Sequence, residues 1–335
     1  MRLAHTLPAS AVLLALVAPG RNEELSFHPA QGSELERRFH WKASGAVDDL
    51  EVTANEQTVD PALLQLPPDL EFDFEASYGV HDEFEKMDGE RPLVLLRHFL
   101  EASMHGSGPE GETSEDGTLN GKSVRFSWNE ESDEYERSWV GEEGKDEELE
   151  RLTEDLDLRA LLPGKEVGAG DEWQVEGFPL WSAVVPGLDL ELAFELKLEP
   201  DEEVPEAVKE EIRRFFKESG ATCGLVGVQA GDSGSTAEVA FSSKIEHRVT
   251  LDPSVFGENM PEEVEFQDIE LRLELSIQGT LLWDLDGGHF TSFTYELEAE
   301  LEGEITGRVP SADLTLEMSA KCSAEVSFEG TAGAP

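Results

Sequence analysis

The chain has 335 residues, 39% of them hydrophobic, and sets 74 acidic against 25 basic side chains for a formal net charge of -49. That apolar content is enough to bury a core, which excludes a disordered acidic tail. The charge repels nucleic acid and anionic membranes, so neither is an expected partner. Such a surface suits water, high salt, divalent cations or a basic protein partner. Salt eases its self-repulsion, because the Debye length falls from about 10 Å at 0.1 M to about 3 Å at 1 M. Halophilic adaptation and a lineage-wide acidic bias both account for it.

Residues 1–20 read as a signal peptide. Arg2 supplies a positive start, 9–18 is an apolar run, and Ala18 and Gly20 are the small residues needed before a cut after Gly20. The run is shorter than the roughly 20 residues of a bilayer span, and no cysteine follows it for a lipid anchor. No other segment has the length and apolarity of a transmembrane helix. The expected location is the periplasm or the exterior of the cell.

The rest divides into two β-rich halves, 21–165 and 166–330. In the first, short strands are expected at 35–43 and 50–54. A longer one runs over 70–80, where Leu70, Phe72, Phe74, Ala76, Tyr78 and Val80 alternate with polar residues. Pro92 suits a first helical turn, and Leu93, Leu96, Phe99, Leu100 and Met104 then space as a helical stripe, so a helix is expected near 92–105. A flexible loop at 106–121 and strands at 124–128 and 135–140 follow, then a short helix near 147–156. The turn-rich stretch 162–171 marks the junction between halves.

The second half opens with a strand at 173–175. Leu188, Leu190, Leu192, Phe194, Leu196 and Leu198 alternate as another strand, and 205–217 is amphipathic with Val208, Ile212, Phe215 and Phe216 on one side. Each main helix thus follows an acidic alternating strand, which suggests a weak internal duplication. Strand 239–251 precedes the clearest pattern in the chain. From Ile269 to Trp283 every odd residue but Gly279 is apolar. Asp286-Gly287-Gly288 turns the chain, and the return strand alternates Phe293, Tyr295, Leu297, Ala299, Leu301 and Ile305 with Glu296, Glu298, Glu300, Glu302 and Glu304. A third strand after Pro310 carries Leu314, Leu316, Met318, Ala320, Cys322, Ala324, Val326 and Phe328 inward.

Fifteen residues at about 3.4 Å each make strands of roughly 50 Å, and long one-sided strands curl. The expected fold is therefore α+β and β-dominated. It has long curved antiparallel sheet, half-barrel-like, with two main amphipathic helices packed on the concave face. The two cysteines, Cys223 and Cys322, are candidates for a disulfide, which export permits, the alternative being two separately buried free thiols.

No motif carries chemistry. Gly231-Asp232-Ser233-Gly234 copies the string around a protease nucleophile, but without a companion histidine motif it reads as a turn. Asp284-Leu285-Asp286-Gly287-Gly288 starts like a calcium loop and lacks the later ligands, so it reads as a hairpin turn. The histidines are scattered, no metal-ligand spacing or phosphate-binding loop occurs, and His247 falls on the apolar phase of its strand as a core or pocket histidine. No catalytic residue, metal or cofactor is expected.

The stretch from Leu161 to Trp173, with Leu162-Pro163 leading to Val167, Gly170-Asp171 and Trp173, resembles a junction found in uncharacterised exported bacterial proteins. The hairpin at 283–288 has the same character. The resemblance implies a β-rich exported protein and carries over no catalytic residue. In strand pattern alone the chain also resembles periplasmic lipoprotein carriers, which implies a curved sheet around an apolar cavity lidded by helices.

These readings converge on an exported, non-catalytic protein holding an apolar or amphipathic ligand between sheet and helices, near Phe194, Phe215, Phe216, Trp283, Phe293 or Tyr295. The alternative is a structural or interaction protein of the envelope that uses its acidic face for cations or a basic partner.

Overall fold

The computed structural model describes residues 22–59, 71–109, 111–141, 144–186, 206–231, 234–252 and 265–335. The expected signal peptide and the expected strand 188–198 with Phe194 lie outside them. In chain order the first half holds β1 (Glu23–Glu24), β2 (Glu34–Ala54), β3 (Gln57–Val59), β4 (Glu71–Asp88), β5 (Arg91–Gly108), β6 (Gly111–Asp116), β7 (Ser123–Asn129) and β8 (Glu134–Trp139). Helix α1 (Asp146–Glu150) and a 3-10 turn (Arg159–Leu161) lie in the linker. Then come β9 (Glu166–Val167), β10 (Glu172–Glu176), α2 (Phe178–Val184), α3 (Glu206–Glu218), β11 (Gly220–Gly231), β12 (Gly234–Leu251), β13 (Glu265–Asp284), β14 (His289–Val309) and β15 (Leu314–Gly333).

Among the described residues, thirteen strands form one antiparallel sheet in the order β10-β11-β12-β13-β14-β15-β2-β4-β5-β7-β8, with β3 and β6 added beside β2 and β5. The order has two ends, β10 and β8, so the sheet is not closed. Strands from 34–139 make one side and strands from 172–333 the other. The seam is the long pairing of β15 with β2, from Leu316↔Ala54 to Gly333↔Glu36. The fold is α+β and β-dominated, as the alternation predicts.

The apolar face of the sheet is covered at one end of its strands. There Leu25 and Phe27, linker residues Leu149, Leu152, Leu156, Leu158 and Leu161, and Leu180, Trp181 and Val184 of α2 close over Phe39, Val80, Phe84, Phe99, Phe126, Trp283 and Phe293. Trp173 of the junction donates its indole N–H to Leu161 O at 3.0 Å, which fixes the linker against β10. The Tyr295 hydroxyl donates to Val184 O at 2.7 Å and anchors α2.

A buried charge cluster ties the linker down further. Arg97 donates to both oxygens of Asp82, at 2.8 and 2.9 Å, and to the carbonyls of Thr153 and Glu154, each at 2.8 Å. Arg37 bridges Asp82 at 2.8 Å and also bonds Asp157. All four side chains are buried. Burial pushes the Asp157 carboxyl up, and the Arg37 charge pulls it back. Charges this deep are tolerable only because each finds partners.

Several expectations are corrected. The stretch 92–105 is not a helix but most of β5, paired with β4 on one side and with β6 and β7 on the other. Only one of the two expected main helices therefore forms, as α3, and the strand-helix-hairpin order does not repeat. The short helix near 147–156 is confined to α1. The expected strands 35–43 and 50–54 are one continuous β2. The Cys223–Cys322 disulfide is not formed, since both thiols are free. Cys223 is on β11 and Cys322 on β15, four strand steps apart, or about 19 Å across the sheet. A disulfide spans Cα atoms only about 4.4–6.8 Å apart.

Candidate functional site

The five described aromatics expected near a ligand do not surround a cavity. Trp283 and Phe293 are fully buried, and Tyr295 and Phe216 nearly so. Phe293 stacks on Phe241 with ring centroids 5.5 Å apart, and Tyr295 stacks on Phe328 at 4.9 Å. Phe216 packs edge-on to Trp181 at 5.0 Å. Phe215 lies edge-on to His247 at 5.6 Å and so docks α3 on β12. The carboxylate of Glu211 sits 3.6 Å from His247 Nε2, which makes this histidine part of the helix-to-sheet contact. These side chains are core and bring no site together.

The open part of the apolar face lies at the other end of the same strands. Two cross-strand rows explain why. Ala299 of β14 faces Ala324 of β15, which faces Gly45 of β2. One step further, Leu301 faces Cys322, which faces Val47. Small residues in the first row leave the face hollow between larger neighbours. A bulge at Lys321/Cys322 sets the register of the second row.

The ring of Phe72, from β4, folds over Gly45. A side-chain carbon at that glycine would come within 2.4 Å of the ring, so the position excludes any larger residue. Together Ala46, Val47, Phe72, Ala299, Leu301 and Cys322 line an apolar cleft of about 290 Å³. Phe72 is 46% exposed and Leu301 39%, a large share for such side chains on the apolar face of a sheet. The reading from sequence missed all of these but Cys322. Their signal was the run of small residues at inward positions 43, 45, 299, 303, 320 and 324.

The opposite face carries the charge. Arg272 bridges Glu246 at 3.3 Å, Glu302 at 3.2 Å and also Glu274, and Lys321 bridges Glu300 at 2.8 Å. Neighbouring arginines hold the Glu246 carboxyl below its usual range. Two wide grooves of about 1110 and 890 Å³ cross this face and share Lys42, Glu296 and Ser327. Their acidic lining includes Asp171, Glu172 and Glu329 in one and Asp73, Glu75 and Glu325 in the other.

The turn at 284–288 uses its carboxylates on backbone. Asp284 accepts the N–H groups of Asp286 and Gly287, both at 3.0 Å, and Asp286 accepts that of Ser235 at 3.0 Å. It is a hairpin turn, as its flanking strands imply. Residues 232–233 of the Gly-Asp-Ser-Gly string lie outside the described residues. Among the described residues no three His, Cys, Asp or Glu side chains converge as a metal site. No described helix is long and apolar enough to cross a membrane.

No protein-family model matches the chain, and no curated protein matches it. Among solved structures, the secretin-domain β-barrel InvG from the Salmonella SPI-1 injectisome is similar over 90% of this chain and 63% of its own length, at 8% identity and a TM-score of 0.17. The chain thus spans under two thirds of that protein.

Proposed function

We propose that this is an exported, non-catalytic binding protein for an apolar or amphipathic ligand, held in the cleft between β14, β15, β2 and β4. The observation that carries the reading is the exposure of Phe72 and Leu301 on the rim of a cleft lined by Ala299, Ala324 and Val47. Water-facing apolar side chains around a concave apolar floor gain about 25 cal/mol per Å² when a ligand covers them. At about 290 Å³ the cleft sits at the small end of ligand sites, which suits one alkyl chain or a small ring system. The acidic opposite face keeps such a carrier soluble. The export half of the reading rests on Arg2 followed by the apolar run 9–18.

The test is a titration of the mature protein with the neutral apolar fluorophore N-phenyl-1-naphthylamine. One site per chain is expected. Leu301→Glu should weaken it at least tenfold, about 1.4 kcal/mol or more, with the circular dichroism spectrum unchanged. Saturable binding that Leu301→Glu leaves intact, or no binding at all, rejects the cleft as the site.

A further inference from the structure

The outer edge of β11 is open over half its length. On its inner edge β11 pairs with β12 down to Gly231↔Gly234. On its outer edge β10 reaches only Gly220 to Gly224, and residues 170–171 then satisfy Leu225 through Gly170 N–H to Leu225 O and Leu225 N–H to Asp171 O. From Val226 to Gly231 that edge has no strand partner among the described residues. At the opposite end of the sheet, the linker lies against β8 through the Arg137 bond to Leu152 O.

This edge carries none of the usual devices that discourage strand addition beyond one bulge at Leu225/Gly227. It has no lysine and no proline, and Val226 and Val228 are 50% and 38% exposed. It also opens into the larger acidic groove, which Val226 helps to line together with Asp171 and Glu172. Glu238 pairs across from Gly227, whose missing side chain leaves open space beside it.

We infer that residues 226–231 of β11 take up an extended, basic segment of a partner protein as an added antiparallel strand. The strand would continue the line of β10. Its backbone would bond the open edge, its apolar side chains would cover Val226 and Val228, and its lysines or arginines would meet Asp171, Glu172 and Glu238. A second copy of this chain is a poor occupant, because a net charge of -49 on each would oppose the approach. The inference is independent of the apolar cleft, which lies elsewhere on the sheet.

The experiment measures fluorescence anisotropy of an alternating Lys-Val octapeptide with the mature protein at about 0.15 M salt, near the ionic strength at which long-range attraction is largely screened. Two controls separate strand addition from attraction to a polyanion: the same peptide N-methylated at alternate residues along one edge, and the protein variant Val228→Lys. Strand addition requires saturable binding that weakens at least tenfold with the methylated peptide and with Val228→Lys. Equal binding of both peptides overturns the proposal, as does binding indifferent to Val228→Lys or absent for both peptides.

Discussion

Arg37, Asp82, Arg97 and Asp157 decide how the linker is held. Three of them occupy inward positions on neighbouring strands β2, β4 and β5, where alternation leads one to expect aliphatic side chains. Arg97 bonds both oxygens of Asp82, which Arg37 also bridges, and two linker carbonyls. Arg97→Met therefore strands a buried carboxylate on Arg37 and leaves Thr153 and Glu154 without their donor. Urea unfolding should show a loss of about 3–5 kcal/mol. A loss below about 1 kcal/mol, the range of exposed pairs, would mean that the cluster contributes no more than a surface bridge. The cysteines contrast in the same way by environment. Burial pushes the Cys223 thiol up to about 12, so it is unreactive, while Cys322 stands half-buried in the cleft wall.

At the level of elements, the strands with clean alternation were legible and those with inward charges were not. β13, β14 and β15 follow their period-two pattern because each inward side chain is apolar or small. β5 does not. Its inward sequence Leu95, Arg97, Phe99 has a charge at the centre, and Leu96 on its other side is also buried. With both faces partly covered, the apolar residues lose strict alternation and fall by chance into helical spacing. Only pairing with β4 and β7 reveals the strand, and pairing is not local information. β2 was divided for a related reason. Gly45, Asp48 and Asp49 interrupt the pattern, and in the sheet they fall at the seam where Phe72 crosses Gly45 and a bulge shifts the register with β15. The cleft was hidden because small inward residues look like ordinary filling until their rows are aligned across three strands.

For the whole molecule, one open sheet separates two chemistries: a core and cleft on the apolar face, a glutamate-rich ladder and grooves on the other. A net charge of -49 over this area repels itself, and screening relieves it. Thermal unfolding in NaCl should shift upward by about 5 °C or more between 0.1 and 1 M. A flat or falling midpoint would show that the local ladders around Arg272 and Lys321 already neutralise the repulsion. The proposed ligand site makes a sharper demand, because Cys322 lies in its wall and Cys223 lies far from it in the core. Alkylation of the native protein with N-ethylmaleimide, followed by intact mass and peptide mapping, reads both thiols at once. Labelling is expected at Cys322 alone, slowed at least tenfold by saturating N-phenyl-1-naphthylamine. Labelling of Cys322 at an unchanged rate while the fluorophore is bound would contradict the assignment of the cleft.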